Sequence, residues 1–172
     1  MSRITRYALA RAVAKVRAMD ETQKKQLADQ LFRAQPHVVA SLLVQKQLGV
    51  SLEKMDFLIE ILLICFQAMN ESGLTWPLIT EDEQERQMGR FVATVHFGDD
   101  LPGSFRDRAL KQYVESHPES ELLAFVNGEA TNWLRRVVPD ESDKYVVMAV
   151  FNFVNCIAFA PMSATEPTRS AQ

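Results

Sequence analysis

The stretch "LLVQKQLGVSLEKMDFLI", residues 42–59, predicts two helices joined by a tight turn. Gly49 is typical of a helix end, because glycine readily adopts the left-handed conformation that often follows the last helical turn. Ser51 is typical of a helix start, since its hydroxyl can accept a hydrogen bond from a free backbone N–H. The second helix continues through "FLIEILLICF", residues 57–66, which is apolar on nearly every side. Such a helix is expected to be enclosed by other helices.

Start and stop signals of the same kind divide the rest of the chain. Asp20 with Gln23 and Thr80 with Glu83 have the spacing of capping boxes, and Pro36 separates two helices. Eight helices result, spanning about residues 2–19, 20–35, 36–48, 52–71, 80–97, 104–116, 119–139 and 143–160. The pair Asn127-Gly128 is typical of a break within the seventh.

We therefore predict an all-α fold, a single-domain bundle of about seven or eight helices in residues 1–160. Its two most apolar helices, about 52–71 and 143–160, should form the centre. Residues 161–172, "PMSATEPTRSAQ", are small and polar and predict a disordered tail. A strand over "RFVATVHF", residues 90–97, is an alternative, but no second segment would pair with it.

Composition and charge bear on which partners and which cellular compartment the protein is expected to have. The 172 residues are 47% hydrophobic and carry a net charge of -3, so no overall field attracts the chain to phosphate. Cys65 and Cys156 both lie in apolar segments, where a free thiol behaves as a small hydrophobic group. A bridge between them would require their two helices to pack together. Free thiols and the lack of a secretory signal lead us to expect a cytoplasmic protein.

The opening stretch has the geometry of a DNA-binding helix-turn-helix but not its chemistry. A recognition helix offers basic and polar groups from its first turns, whereas this one places Glu53 and Asp56 beside a single lysine, Lys54. The basic first helix is a better candidate for nucleic acid or a membrane surface, with cationic residues and no acidic residue: Arg3, Arg6, Arg11, Lys15 and Arg17. We interpret it instead as a surface helix of the bundle, and expect neither nucleic acid nor a membrane as partner.

Residues for catalysis are sparse. Asp56 and Glu60 share a helix face, which is also the ordinary pattern of a solvent-exposed edge. The sequence "HFGDD" places His96, Asp99 and Asp100 in the most compact polar cluster, with the residue types of a metal site. His near a helix C-terminus and Asp before a turn are equally common for structural reasons. We therefore predict no catalytic residue, cofactor or metal.

The remaining signal is an excess of apolar and amide side chains with the character of an interface. Trp76 lies in a connection between helices, beside Pro77, and the last helix carries a row of residues three or four apart: Met148, Asn152, Asn155 and Phe159. Buried asparagines need hydrogen-bond partners, either inside the bundle or on a matching helix of a second subunit. We favour the second case and predict a homodimer with the asparagines near its axis.

These observations lead to one preferred function and two alternatives. The preferred function is a non-enzymatic helical interaction or structural protein, oligomeric, whose partner is itself or another protein. The first alternative is a nucleic-acid-binding regulator that uses the basic first helix. The second alternative is a small enzyme or ligand-binding bundle.

Overall fold

The computed structural model describes residues 2–99 and 103–162, with the backbone alone for residues 97–99, 104–107 and 109–110. The described residues form eight α-helices and no strand. They are α1 (Arg6–Ala18), α2 (Glu21–Ala34), α3 (Pro36–Gln47), α4 (Leu52–Glu71), α5 (Glu81–Asp99), α6 (Gly103–Ser116), α7 (Ser120–Leu134) and α8 (Asp143–Ala158). The predicted all-α bundle is confirmed, and most of the predicted tail, residues 163–172, lies outside the described residues.

Helices α4 and α8 lie at the centre of the bundle and contact each other. Helix α4 also contacts α1, α2, α3 and α7, while α8 also contacts α3, α5 and α7. Because each is covered on several sides, many side chains of both helices are buried, including Leu58, Ile61 and Ile64 of α4 and Val146, Val150 and Val154 of α8. Burial of apolar surface is the main favourable term in folding, so these two helices anchor the others.

Most helix ends follow the local signals in the sequence. Asp20 and Gln23 form the predicted capping box at α2, with Gln23 N–H donating to the Asp20 carboxylate at 2.8 Å. Ser51 accepts from the Lys54 N–H at the start of α4. Gly49, with φ of 89°, and Gly73, with φ of 70°, follow α3 and α4 in the left-handed region. These motifs involve residues two to five apart, which explains why sequence alone found them.

Two helix predictions need correction, and the prediction of a helix over residues 90–97 is confirmed. Helix α1 begins at Arg6 rather than Ser2, because Thr5 is its N-cap and accepts from the Ala8 N–H at 3.1 Å. Helix α7 runs unbroken through Asn127 and Gly128, since Val126 and Ala130 on either side are buried and hold this turn against the core. Residues 90–97 are helical within α5, so the alternative of a strand is wrong.

The connection between α4 and α5 is fixed by side-chain hydrogen bonds. Gln35, buried at the α2–α3 junction, donates to the Pro77 carbonyl and accepts from the Ile79 N–H, both at 2.8 Å. The Trp76 indole N–H reaches the Met69 carbonyl at 3.2 Å. These bonds satisfy groups that no helix serves, and they hold residues 72–80 against the bundle.

Within residues 2–99 and 103–162, none of the helices combines the length and hydropathy needed to cross a bilayer.

The central position of α4 can be tested with a matched pair of isoleucines. Ile64 is 0% exposed and Ile59 is 37% exposed on the same helix. We expect Ile64→Ala to lower the free energy of unfolding by about 2 to 5 kcal/mol, because it leaves a cavity in the core. Ile59→Ala should cost no more than about 1.5 kcal/mol, since its side chain is only partly removed from water. Urea denaturation measures both, and equal losses would contradict the assignment.

Candidate functional site

Helix α3 presents an apolar face that no described residue covers. Of its residues, only Val38 is buried. Five exposed residues follow the helical spacing of three and four along α3 and its C-cap: Ala40, Leu43, Val44, Gln47 and Leu48. We call these five residues the α3 row. Leu43 is 66% exposed and Val44 is 48% exposed, so large apolar side chains remain in water.

The α3 row is apolar or amide in character and contains no charged side chain. Lys46, also exposed, lies beside the row on the helix circumference. Leu52, the first residue of α4, is 70% exposed and follows directly after the turn that ends α3. A contiguous apolar surface of this kind marks an interaction site more often than an isolated exposed leucine does. The hairpin is evident in the sequence, but its local signals do not show that this face is exposed.

The asparagines of α8 face the interior of this chain. Asn155 Oδ1 lies 3.0 Å from His117 Nε2 and accepts from the Tyr113 hydroxyl at 3.4 Å. Asn152 Nδ2 donates to the Gln84 carbonyl of α5 at 3.1 Å. Of the two locations weighed for these amides, the structure shows the internal one. A dimer axis at these residues would require the bundle to open.

Asn152 and Asn155 differ in how completely their side chains are hydrogen-bonded. Asn152 Oδ1 is buried and has no hydrogen-bond partner among the described residues, and the same is true of Gln87 Oε1 on α5. Asn155 Oδ1 has contacts with two donor groups. Asn155 thus accepts from two neighbouring donors, whereas Asn152 donates to one carbonyl and its own oxygen has no partner among the described residues.

The other interface candidates occupy mixed positions. Trp76 is half-buried, and its ring stacks on the Arg3 guanidinium, whose Cζ lies 4.8 Å from the ring centroid. Met148 is half-buried. Phe159 is 40% exposed, with the His117 ring edge-on at 5.9 Å and Arg90 Cζ over its ring at 5.5 Å. The structure thus brings Asn155 and Phe159 together around His117, while Trp76 contacts Arg3.

A buried ionic cluster joins the start of the described chain to the end of α8. Glu119 is 0% exposed, and its carboxylate accepts from the Arg3 side chain at 3.0 Å and from the Ile4 N–H at 3.0 Å. The Arg3 guanidinium also donates to the Ile157 and Ala158 carbonyls at 2.7 and 2.6 Å. These contacts join positions more than 100 residues apart, and no local sequence signal could have found them.

His117 supports this cluster from one side. It is 5% exposed, and its Nδ1 accepts the Glu119 backbone N–H at 3.1 Å. With Nδ1 as acceptor, Nε2 carries the proton and donates to Asn155. His117 thus has hydrogen bonds at both ring nitrogens, and the ring fixes the backbone at Glu119.

The basic residues of α1 are paired with carboxylates of other helices. Arg6 contacts Glu121, Arg11 and Lys15 contact Glu71, and Arg17 contacts Glu60 and Glu129. The Lys15 ammonium, with help from Gln67 and Arg11, holds the pKa of Glu71 below its ordinary value. Because these cations already have acidic neighbours, the pairs favour the interpretation of α1 as a packed surface helix over its use for nucleic acid.

A second buried cation lies at the N-terminal end of α4. Lys54 is 5% exposed, and its ammonium contacts the carboxylates of Asp140 and Asp143 and the Val138 carbonyl. We call Lys54, Asp140 and Asp143 the Lys54 cluster. In the sequence, Lys54 was weighed only as a possible DNA contact. In the structure its ammonium joins α4 to the first residue of α8 and to the segment before it. A buried charge is tolerated only with such partners.

The residues considered for catalysis or metal binding do not assemble into such a site in the described part of the chain. His96 is exposed on α5, whereas Asp100 and the Asp99 side chain lie outside the described residues. No group of three or more metal-ligand side chains occurs among the described residues. Asp56 and Glu60 line an open groove of about 540 Å³ together with Lys24 and Lys25. Their arrangement is that of a solvated, mixed-charge surface.

Both cysteines are free and line one apolar cavity of about 20 Å³ between α4 and α8. Burial raises the pKa of each thiol to about 12, with the charge of Glu83 contributing for Cys156. The thiols are therefore protonated near neutral pH, and they are poor nucleophiles because the thiolate is the reactive form. The cysteines act as core residues, as their apolar surroundings in the sequence predicted.

Comparison with known proteins adds no assignment: no protein-family model, curated protein or solved structure matches this chain.

The two asparagines of α8 should respond differently to the same substitution. Asn155→Leu removes the acceptor of the buried His117 and the half-buried Tyr113 donors, and we expect it to lower the free energy of unfolding by about 1 to 3 kcal/mol. Asn152→Leu removes one hydrogen bond but also a buried unpaired oxygen, so its cost should be below about 1 kcal/mol. Urea denaturation compares them, and a larger loss for Asn152→Leu would show that the internal network is wrongly described.

The Lys54 cluster predicts a defined acid response. The hydrogen bond from Lys54, with others from Ser142, lowers the pKa of Asp140 to about 2. The unfolded value is about 3.9, so the stabilisation is fully present above that pH and is lost as pH falls toward 2. We expect Asp140→Asn to reduce the fall in stability between about pH 4 and pH 2. Glu141→Gln, a neighbouring substitution outside the cluster, is the control. Urea denaturation across this range measures both, and an unchanged slope for Asp140→Asn would contradict the prediction.

Proposed function

We propose that this chain is a non-enzymatic helical interaction protein that self-associates as a homodimer through the α3 row. The observation that carries the proposal is the exposure of Leu43, Val44 and Leu48 on one face of a helix that buries only Val38. Leaving these side chains in water forgoes stabilisation of roughly 25 cal/mol for each Å² of apolar surface that a partner would cover.

A second copy of this chain is the partner that best fits the α3 row. A two-fold axis places the same surface on both sides of the interface, so a row without charge meets another row without charge and no repulsion arises within it. Residues spaced three and four apart also form ridges that can pack into the grooves of an identical helix. The net charge of -3 per chain adds only weak long-range repulsion.

The size of α3 bears on the strength of this association. A helix of 12 residues spans about 18 Å at a rise of 1.5 Å per residue. Two such helices bury less than the ~800 Å² per partner of a standard stable interface, unless Leu52 and its surroundings add to the contact. We therefore expect a micromolar dimer rather than an obligate one.

The disposition of polar groups supports an interaction role over catalysis. Glu119, Lys54 and His117 are buried and have hydrogen-bond partners inside the protein. Their hydrogen bonds hold the start of α4 and the end of α8 against neighbouring segments. The apolar α3 row, by contrast, is exposed and is not covered by any described residue.

The homodimer can be tested by replacing two residues of the α3 row with charged residues. We expect the wild type to dimerise in a micromolar concentration series followed by sedimentation velocity. Leu43→Glu with Val44→Glu should raise the dissociation constant at least tenfold, because like charges would face each other across the axis. Val138→Glu is the matched control, since Val138 is 82% exposed but lies outside α3.

Circular dichroism should show unchanged helicity in both variants, because the substituted side chains are already in water. A wild type that remains monomeric throughout the series would refute self-association. A dimer that persists in the α3 variant would place the interface elsewhere, contrary to the proposal.

A further inference from the structure

Residues 2–5, which precede α1, lie against the bundle much as a bound peptide lies in a receptor. The Glu119 carboxylate accepts the backbone N–H groups of Arg3 and Ile4 at 3.2 and 3.0 Å. Ser2 Oγ lies 3.2 Å from Ser120 Oγ, and the Ile4 side chain is completely buried. One carboxylate thus holds two successive peptide groups, and a buried apolar site takes the side chain that follows the arginine.

The groups that hold this segment come from elements distant in sequence. Glu119 immediately precedes α7, and its backbone is fixed by His117. The carbonyl groups that receive the guanidinium belong to the C-terminal end of α8, and Trp76 belongs to the connection between α4 and α5. We call Glu119, the end of α8 and Trp76 the Arg3 site. The Ile157 and Ala158 carbonyls lie at the C-terminal, negative end of the α8 dipole, and together with the buried Glu119 carboxylate they favour a cation.

The Arg3 site is matched to arginine rather than to any cation. Nε of Arg3 donates to Glu119, Nη1 donates to the Ala160 carbonyl at 3.2 Å, and Nη2 donates to Ile157 and Ala158. The flat guanidinium also stacks on Trp76. A lysine ammonium has three donors at one point and cannot reach these acceptors while stacking on the ring.

We propose that the Arg3 site is a recognition site for extended peptide segments in which arginine precedes a branched aliphatic residue. Residues 2–5 occupy it within the same chain and compete with any segment from outside. An intramolecular occupant has a high effective concentration, so an incoming peptide binds well only when residues 2–5 leave the site. The segment is thus a built-in competitor that regulates access.

The test uses an acetylated and amidated peptide, Ser-Arg-Ile-Thr, and the full chain carrying Arg3→Ala. Titration calorimetry and Trp76 fluorescence measure binding, and Trp76→Phe in the same background identifies the fluorescence signal. We expect the Arg3→Ala protein to bind the peptide at least tenfold more tightly than the wild type does. Replacing arginine by lysine, or isoleucine by glycine, in the peptide should weaken binding at least tenfold. Glu119→Gln added to Arg3→Ala should have a similar effect.

A second measurement keeps the proposal testable if the Arg3→Ala protein does not fold. Excess peptide added to the wild type should accelerate hydrogen exchange at the backbone N–H groups of Arg3 and Ile4, because their acceptor is taken by the peptide. The lysine peptide should not do so. Unchanged exchange in the wild type, no binding to a folded Arg3→Ala protein, or equal binding of the arginine and lysine peptides would each overturn the proposal.

Discussion

The structure depends on one requirement: the apolar surfaces of α4 and α8 must be removed from water on nearly every side. Two helices that pack only on each other would leave much of that surface exposed. Helix α4 therefore contacts five other helices and α8 contacts four, with α3, α7 and each other among them. The remaining helices need only one apolar face each, and α1 supplies it with Ala8, Leu9, Ala12 and Val16. The bundle follows from this division between enclosed and enclosing helices.

Burial of both central helices creates a second requirement: the polar groups that their ends bring into the interior need hydrogen-bond or ionic partners. At the N-terminal end of α4, Lys54 is held by Asp140 and Asp143. At the C-terminal end of α8, carbonyl groups are held by Arg3, whose charge is balanced by Glu119. An unpaired buried charge would be strongly destabilising, so each cluster favours the packing of helices in which all of its charges are paired.

Helix α3 differs from the other helices because it is apolar in sequence and yet largely exposed. Its contacts with α2, α4, α5 and α8 involve one face, and the α3 row occupies the opposite one. The two proposals concern separate surfaces. The α3 row is an apolar surface that suits another helix, whereas the Arg3 site is a polar cleft already filled by an extended segment. Self-association and peptide recognition could therefore operate independently.

The sequence by itself determined the helical architecture. Capping at Asp20 and Ser51, the glycines at 49 and 73, and the apolar circumference of the two central helices all depend on residues within a few positions of one another. Local hydrogen bonds and periodicity therefore predicted most of the helix boundaries and the central helices. The start of α1 was missed because Thr5 caps the helix, and the residues before it instead contact Glu119, Ser120 and the end of α8.

The packing of the helices determines which side-chain surfaces are exposed to solvent and which are covered by other residues. The amide row of α8 has the spacing of an interface, and its inward direction follows from His117 and Gln84, which are 38 and 68 positions from their asparagine partners. Arg3 has the composition of a surface cation, and its use depends on Glu119, 116 positions away. Helix α3 has the composition of a core helix, and its exposure depends on where the other helices end. Sequence periodicity gives the direction of side chains around one helix axis, whereas the packing of all the helices determines what each direction meets.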